Sequence, residues 1–213
     1  MQRRIYFIAL AFFSILYVVL SAGDPFFGKV FLKALPIWMV AIHVFLTLKD
    51  RKGRLLFIGL LFGSAGDVLI GVNFVIGLGM FLIGHLFYTS SFLHQWKFQA
   101  WKLAPVAAVV AITVIVANSL GAAPKVQPLK IPVFAYMGVI MLMVITAIFR
   151  SPKSPAVWIG AVFFLLSDAM IAINKFIFPI EHESYLIMGT YYLAQILIGE
   201  GSIEDNRRSA SQA

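Results

Sequence analysis

Apolar residues in this chain neither alternate nor fall on a single helical stripe. They run in eight blocks, at about 5–22, 30–48, 55–74, 76–94, 103–120, 132–149, 156–177 and 185–199. Each block is close to the roughly 20 residues that a helix needs to cross a bilayer. Strands are a poor reading, because lipid cannot satisfy backbone groups and the blocks lack the period-two pattern of barrel strands. The connections are short and hold turn-formers and charges, as in Asp24-Pro25, Lys52-Gly53 and Ser151-Pro152-Lys153-Ser154-Pro155. The pattern therefore predicts an all-α membrane protein: one polytopic bundle of about eight transmembrane helices over residues 1–200. Residues 201–213, mostly polar, read as a disordered tail. The start of the chain, Met1-Gln2-Arg3-Arg4 before an apolar run and Ser21-Ala22-Gly23, has the outline of a signal peptide. Its apolar run is longer than a signal core, which favours a retained helix.

Composition agrees with this class. Of 213 residues, 61% are hydrophobic and 12% charged, against about 25% charged in a soluble domain. There is no cysteine, so disulfides and thiolate sites are excluded. With only one well-placed histidine, the usual zinc ligand sets cannot be assembled, and neither a metal nor another cofactor is called for. The net charge of +8 resembles a nucleic-acid footprint until it is mapped onto the loops. One side would carry Arg3, Arg4, Lys49, Arg51, Lys52, Arg54, Lys97, Lys102, Arg150, Lys153, Arg207 and Arg208. The other would carry Lys29, Lys125, Lys130 and Lys175. Twelve against four is a positive-inside bias and predicts that both termini are cytoplasmic, with the bilayer rather than a nucleic acid as partner. In a bacterial cell the membrane would be the inner (plasma) membrane.

Against this apolar background a few polar residues stand out. Asp67-x-x-Ile70-x-x-Asn73 and Asp168-x-x-Ile171-x-x-Asn174 repeat one pattern 101 residues apart, in the third and seventh blocks. Both blocks run outward from the cytoplasm, and each acid lies 13 residues past the nearest cytoplasmic loop residue, Arg54 or Pro155. At 1.5 Å per residue both sit at a depth of about 20 Å, which fits a parallel duplication of four plus four helices. Lys33, His85 and Tyr136 map to about 18–24 Å on the same scale, and Tyr191, Tyr192 and Gln195 are somewhat shallower. Burying a charge at such depth costs at least about 2.5–3.5 kcal/mol on insertion scales, so these residues are expected to face the bundle interior and carry function. Packing roles compete with that expectation. Either acid can be a helix-pairing hydrogen bonder with Lys33 as counter-ion, and Lys33 can snorkel to the outer interface. His85 and the tyrosines can be structural hydrogen bonders, and the glycines can serve close helix packing. His43, His94 and His182 read as interfacial.

Two carboxyls close together cannot easily both ionise, which leaves a proton donor beside a carboxylate base. That division of labour suits hydrolysis through an oxocarbenium ion, and equally suits proton-coupled transport. Spacing does not choose between an enzyme, a small transporter or lipid-handling protein, and a non-catalytic scaffold.

Lys33, Gly63, Gly66-Asp67, Ile70, Gly84-His85, Tyr88, Ser167-Asp168-x-x-Ile171-Ala172-x-Asn174-Lys175-Phe176 and Tyr191-Tyr192-Leu193-Ala194-Gln195 together resemble the YhhN family of integral membrane lysoplasmalogenases. The resemblance extends from the second block to the eighth. It implies a hydrolase that cleaves the vinyl ether bond of lysoplasmalogens, giving a fatty aldehyde and a glycerophospho-choline or -ethanolamine. It also implies that Asp67 and Asp168 are catalytic, with a lysophospholipid as substrate and no cofactor. Lys33, His85, Tyr88, Tyr136, Ser167, Asn73, Asn174, Tyr191, Tyr192 and Gln195 are then the expected supporting or substrate-binding residues.

Overall fold

The computed structural model describes residues 2–24, 26–151 and 154–211. Pro25, Pro152 and Lys153, which figure in the turn pattern and the charge count above, lie outside the described residues. Among the described residues eight α-helices follow in order: α1 (Gln2–Ser21), α2 (Lys29–Thr47), α3 (Arg51–Leu69), α4 (Phe74–Leu93), α5 (Leu103–Ala122), α6 (Lys130–Ile148), α7 (Ala156–Phe176) and α8 (Glu183–Ala210). Among the described residues there is no strand, only an isolated antiparallel bridge between Trp96 and Arg150. Six helices are long and apolar enough to cross a membrane, all but α3 and α8. The chain is thus an all-helical, multi-pass membrane protein.

The two exceptions are explained by their position. α3 packs along α4 and α2, and α8 packs along α7, α2 and α1, and polar residues of both meet partners inside the bundle: Ser64 and Asp67 on α3, Tyr191 and Gln195 on α8. Small residues let them approach closely. A Cβ on Gly59 would lie 2.5 Å from the Tyr88 ring, and one on Gly199 2.2 Å from Val40 Cγ1. The turn between α3 and α4 is longer than the apolar pattern indicates: residues 70–73 separate the helices, where the blocks leave residue 75 alone. Asn73, inside the third block, caps α4, its Oδ1 accepting from the amides of Val75 and Ile76 at 3.0 and 3.1 Å.

The expected polar tail departs from the structure. α8 continues without a break to Ala210, and Ile203 and Asp205 on it are buried. The reason is pairing. Glu200 accepts from Tyr6 Oη and contacts His43 Nδ1, both at 2.7 Å, and Arg3 lies 3.7 Å from Glu204. Asp205 meets the buried guanidinium of Arg150 at 3.4 Å. Burial lowers Arg150 to about 10 against the opposing pull of Asp205, and raises Asp205 above the usual carboxylate range. Both ends of the chain therefore meet at one end of the bundle. Hydropathy reads this stretch as loop because its charges are neutralised only in three dimensions.

Candidate active site

Towards the opposite end, α2, α3, α4 and α8 converge on Asp67. Its carboxylate is buried, with Lys33 Nζ at 3.1 Å from Oδ1 and Tyr191 Oη donating to Oδ2 at 2.6 Å. Lys33 also donates to the Asp67 carbonyl at 3.3 Å. The ammonium pairs inward rather than snorkelling out. Behind Tyr191 the network continues: Gln195 Nε2 donates to Tyr191 Oη at 3.1 Å, and Tyr88 Oη donates to Gln195 Oε1 at 2.7 Å. Gly63 makes room for this, since a Cβ there would lie 3.2 Å from Gln195 Nε2. Tyr192 steadies α2 from the side, donating to the Lys33 carbonyl at 2.8 Å.

Asp168 has a different setting. Its bonded partner is the Tyr136 hydroxyl of α6, which donates to Oδ2; no cation lies within ion-pair distance of it among the described residues. The His85 ring packs edge-on against Tyr136 and Phe164, centroids 5.4 and 4.6 Å away. His85 Nδ1 contacts the Phe81 carbonyl at 2.6 Å, while its buried Nε2 has no partner. A buried ring nitrogen left open is unusual, because an unmade hydrogen bond costs about 1–3 kcal/mol.

Two cavities meet here. The first is almost wholly apolar, about 60 Å³, and lies among α3 to α7 with Asp168 and Tyr136 in its wall. Ile112 and Leu166 line it and are also exposed on the outer surface, so it reaches the bundle flank between α5 and α7. The second, about 390 Å³, is the more polar of the two, mixing charged and apolar side chains, and opens at the end away from the termini with Lys33 in its wall. Ile70, Phe74 and Ile171 line both and form the neck between them. Ile70 and Ile171 each follow an aspartate by three residues, one helical turn, so both carboxyls belong to the level just inside the neck.

The structure thus joins Lys33, Asp67, Tyr88, Tyr191 and Gln195 in one network, and Tyr136 and Asp168 in a second that His85 abuts. Three expected residues do other things. Asn73 caps α4, and Ser167 donates to the Ile187 carbonyl at 3.1 Å, tying α7 to α8. Asn174 Oδ1 accepts from the Ile180 amide at 2.8 Å and holds the turn before α8, though the residue also lines the polar cavity. The sequence pattern missed the Tyr6–His43–Glu200 cluster, reading His43 as interfacial. Its one signal is Glu200, a carboxylate directly after an apolar block. Among the described residues no three His, Cys, Asp or Glu side chains gather as metal ligands would.

The YhhN family model matches residues 28–202. The chain is 28% identical over 198 residues to "Lysoplasmalogenase TMEM86A" of Homo sapiens, covering 87% of this chain and 82% of that protein. It is 37% identical over 161 residues to "Lysoplasmalogenase" of Mycobacterium tuberculosis, covering 71% of this chain and 61% of the relative. With "Lysoplasmalogenase TMEM86B" of Homo sapiens the identity is 31% over 175 residues, 78% of this chain and 71% of that protein. No solved structure matches. The family match takes in every helix from α2 to the middle of α8, and with it both aspartates: the chain belongs to the YhhN family.

Proposed function

We propose that this protein is a lysoplasmalogenase, a membrane-embedded hydrolase that cleaves the vinyl ether of a lysoplasmalogen to a fatty aldehyde and a glycerophospho-head group. One observation carries the mechanism: two carboxyls at one level, a buried one ion-paired to Lys33 and a part-buried one bonded by a phenol at the wall of an apolar cavity. A carboxyl without a compensating cation is the cheaper one to keep neutral in a dry site. Asp168 is therefore the proton donor and Asp67 the standing carboxylate.

Hydrolysis then runs in balanced steps. Asp168 gives its proton to the β-carbon of the vinyl ether, and the π electrons leave an oxocarbenium ion at the α-carbon and oxygen. Tyr136, already donating to Asp168, stabilises the charge that develops on it. The Asp67 carboxylate faces the cation and accepts a proton from the water that adds to the α-carbon. His85 Nε2, the open nitrogen of a ring packed against Tyr136, holds that water. The hemiacetal collapses by giving its hydroxyl proton to the Asp168 carboxylate and breaking the bond to the glycerol oxygen, which takes up the proton held by Asp67, so both carboxyls return to their starting states. One water is consumed. The apolar cavity takes the first few methylenes of the chain, and the flank between α5 and α7 lets the rest run into lipid.

The same reading places all eight helices across the membrane, both termini in the cytoplasm. The loop charges support that orientation, and the four-plus-four repeat is supported by packing: α2 lies on α8 as α6 lies on α4. Asp67 is bonded from α2 and α8, and Asp168 from α6, with the His85 ring of α4 against Tyr136.

Hydrolysis in D₂O tests the chemistry. Protonation at carbon puts one deuterium on carbon 2 of the released aldehyde. Aldehyde without that label contradicts the mechanism, and proton-coupled flux in vesicles with no covalent product contradicts the enzyme.

A further inference from the structure

The polar cavity contains charges that the hydrolytic steps leave unused. Lys175 and Glu183 both line it, and neither enters an ion pair among the described residues. They come from different elements, the last turn of α7 and the first of α8. Lys175 Nζ stands 4.5 Å from the centroid of Phe74, the aromatic residue of the neck, so the cation is held at the entrance to the reacting level. The Asn174 side-chain oxygen is occupied by the Ile180 amide, while its amide nitrogen makes no bond among the described residues and is free to donate. Lys33 contributes no net charge here, because Asp67 neutralises it. The vestibule is thus a concave space of about 390 Å³ lined by polar and apolar side chains, with one cation outside any ion pair at the neck and one carboxylate that accepts only from the neighbouring Ser184 hydroxyl, at 3.3 Å, among the described residues.

Building on the hydrolase reading, we propose that this vestibule is the head-group site, and that it recognises a zwitterionic lysophospholipid: phosphate on Lys175 and the Asn174 amide, ammonium on Glu183. The chemistry follows from charge order along the ligand. A lysophospholipid threads the neck tail first, so its vinyl ether lies inside the neck at the aspartates. Its phosphate then emerges at Lys175 and its ammonium further out. A singly anionic head group satisfies Lys175 and meets Glu183 as a repulsion. An uncharged alkenylglycerol gains from neither. The carboxylate gives selectivity by disfavouring the wrong ligand as much as by binding the right one.

Binding separates this proposal from the catalytic one, because 1-O-alkyl lysophospholipids carry the same head groups and have no vinyl ether to cleave. Dissociation constants are measured for 1-O-alkyl lysophosphoethanolamine, 1-O-alkyl lysophosphoglycerol and 1-O-alkylglycerol on purified full-length protein, with thermal unfolding as the control for folding. Lys175→Gln weakens both phospholipids about tenfold, one charged contact's worth, and leaves alkylglycerol unchanged. Glu183→Gln weakens the ethanolamine lipid alone, and Glu183→Lys reverses the preference in favour of the phosphoglycerol lipid. Equal losses for all three ligands, or changes below twofold in both folded variants, overturn the proposal. Selective binding as predicted, with no turnover of the alkenyl counterpart, would instead contradict the hydrolase reading and leave the head-group site standing.

Discussion

Replacing Lys33 with methionine removes the ammonium 3.1 Å from Asp67 Oδ1 and keeps most of the side-chain volume. The Asp67 carboxyl is then left with the single hydrogen bond from Tyr191. Both side chains are largely buried, at 18% and 4% exposure, so this is a buried pair rather than a surface one. Removing one partner of such a pair costs about 3–5 kcal/mol. The carboxyl has one escape, which is to take up a proton, and that caps the loss of stability while removing the standing carboxylate from the site. Lys33→Met should therefore be less stable by up to about 3–5 kcal/mol and have a strongly reduced kcat. The double variant Lys33→Met/Asp67→Asn should recover much of the stability, since no buried charge remains, and stay inactive. Denaturation in mixed micelles, followed by tryptophan fluorescence, gives the stabilities, and aldehyde release gives kcat. A single variant within about 0.5 kcal/mol of the parent, the range of ordinary surface changes, would show that Lys33 does not compensate Asp67. A double variant less stable than the single would refute the argument equally.

Other perturbations follow from the same geometry. Tyr136→Phe deletes the hydrogen bond that strengthens as Asp168 loses its proton; at about 1.5–3 kcal/mol for a bond to a charged group, kcat should fall roughly 10- to 150-fold with KM little changed. Steady-state kinetics check this, and a rise in KM alone would contradict it. Gly77→Ala should destabilise by about 1–3 kcal/mol or more, because its Cβ would lie 2.4 Å from Ile70 Cα and 2.5 Å from Ile70 N. Gly79→Ala, with no atom within 4 Å of the added carbon, should be neutral or stabilising by up to about 1 kcal/mol in the same unfolding assay. Arg150→Met strands Asp205 at the end of the bundle that carries the termini and should cost stability without changing KM. A selective loss of kcat in that folded variant would contradict a purely structural role.

The polar sites were legible as residues and much less so as partnerships. Asp67 and Asp168 stand out because a carboxyl inside an apolar block is expensive, and their matching depth follows from counting along helices of one direction. Which group each acid binds depends on how α2, α6 and α8 are rotated about their axes, and side-chain spacing in one helix says nothing of its neighbours. Thus Lys33, Tyr136 and Tyr191 were all recognisable, while the assignment of the first and third to Asp67 and the second to Asp168 was not. The helix count was legible from apolar length alone. The end of α8 was not, because Glu200 and Asp205 look like the start of a solvated tail until Tyr6, His43 and Arg150 are brought against them. Asn73 ends the repeated motif and Ser167 directly precedes its second copy, yet their bonds are structural: a cap and a helix tie.

The central claim is that Asp67 and Asp168 act together on one vinyl ether. Aldehyde release from 1-alkenyl lysophosphoethanolamine is measured with purified protein beside Asp67→Asn and Asp168→Asn, each first shown to be folded. The account predicts turnover by the parent protein and near-complete loss in both variants, with binding of the 1-O-alkyl analogue retained. Turnover that survives either substitution would contradict it.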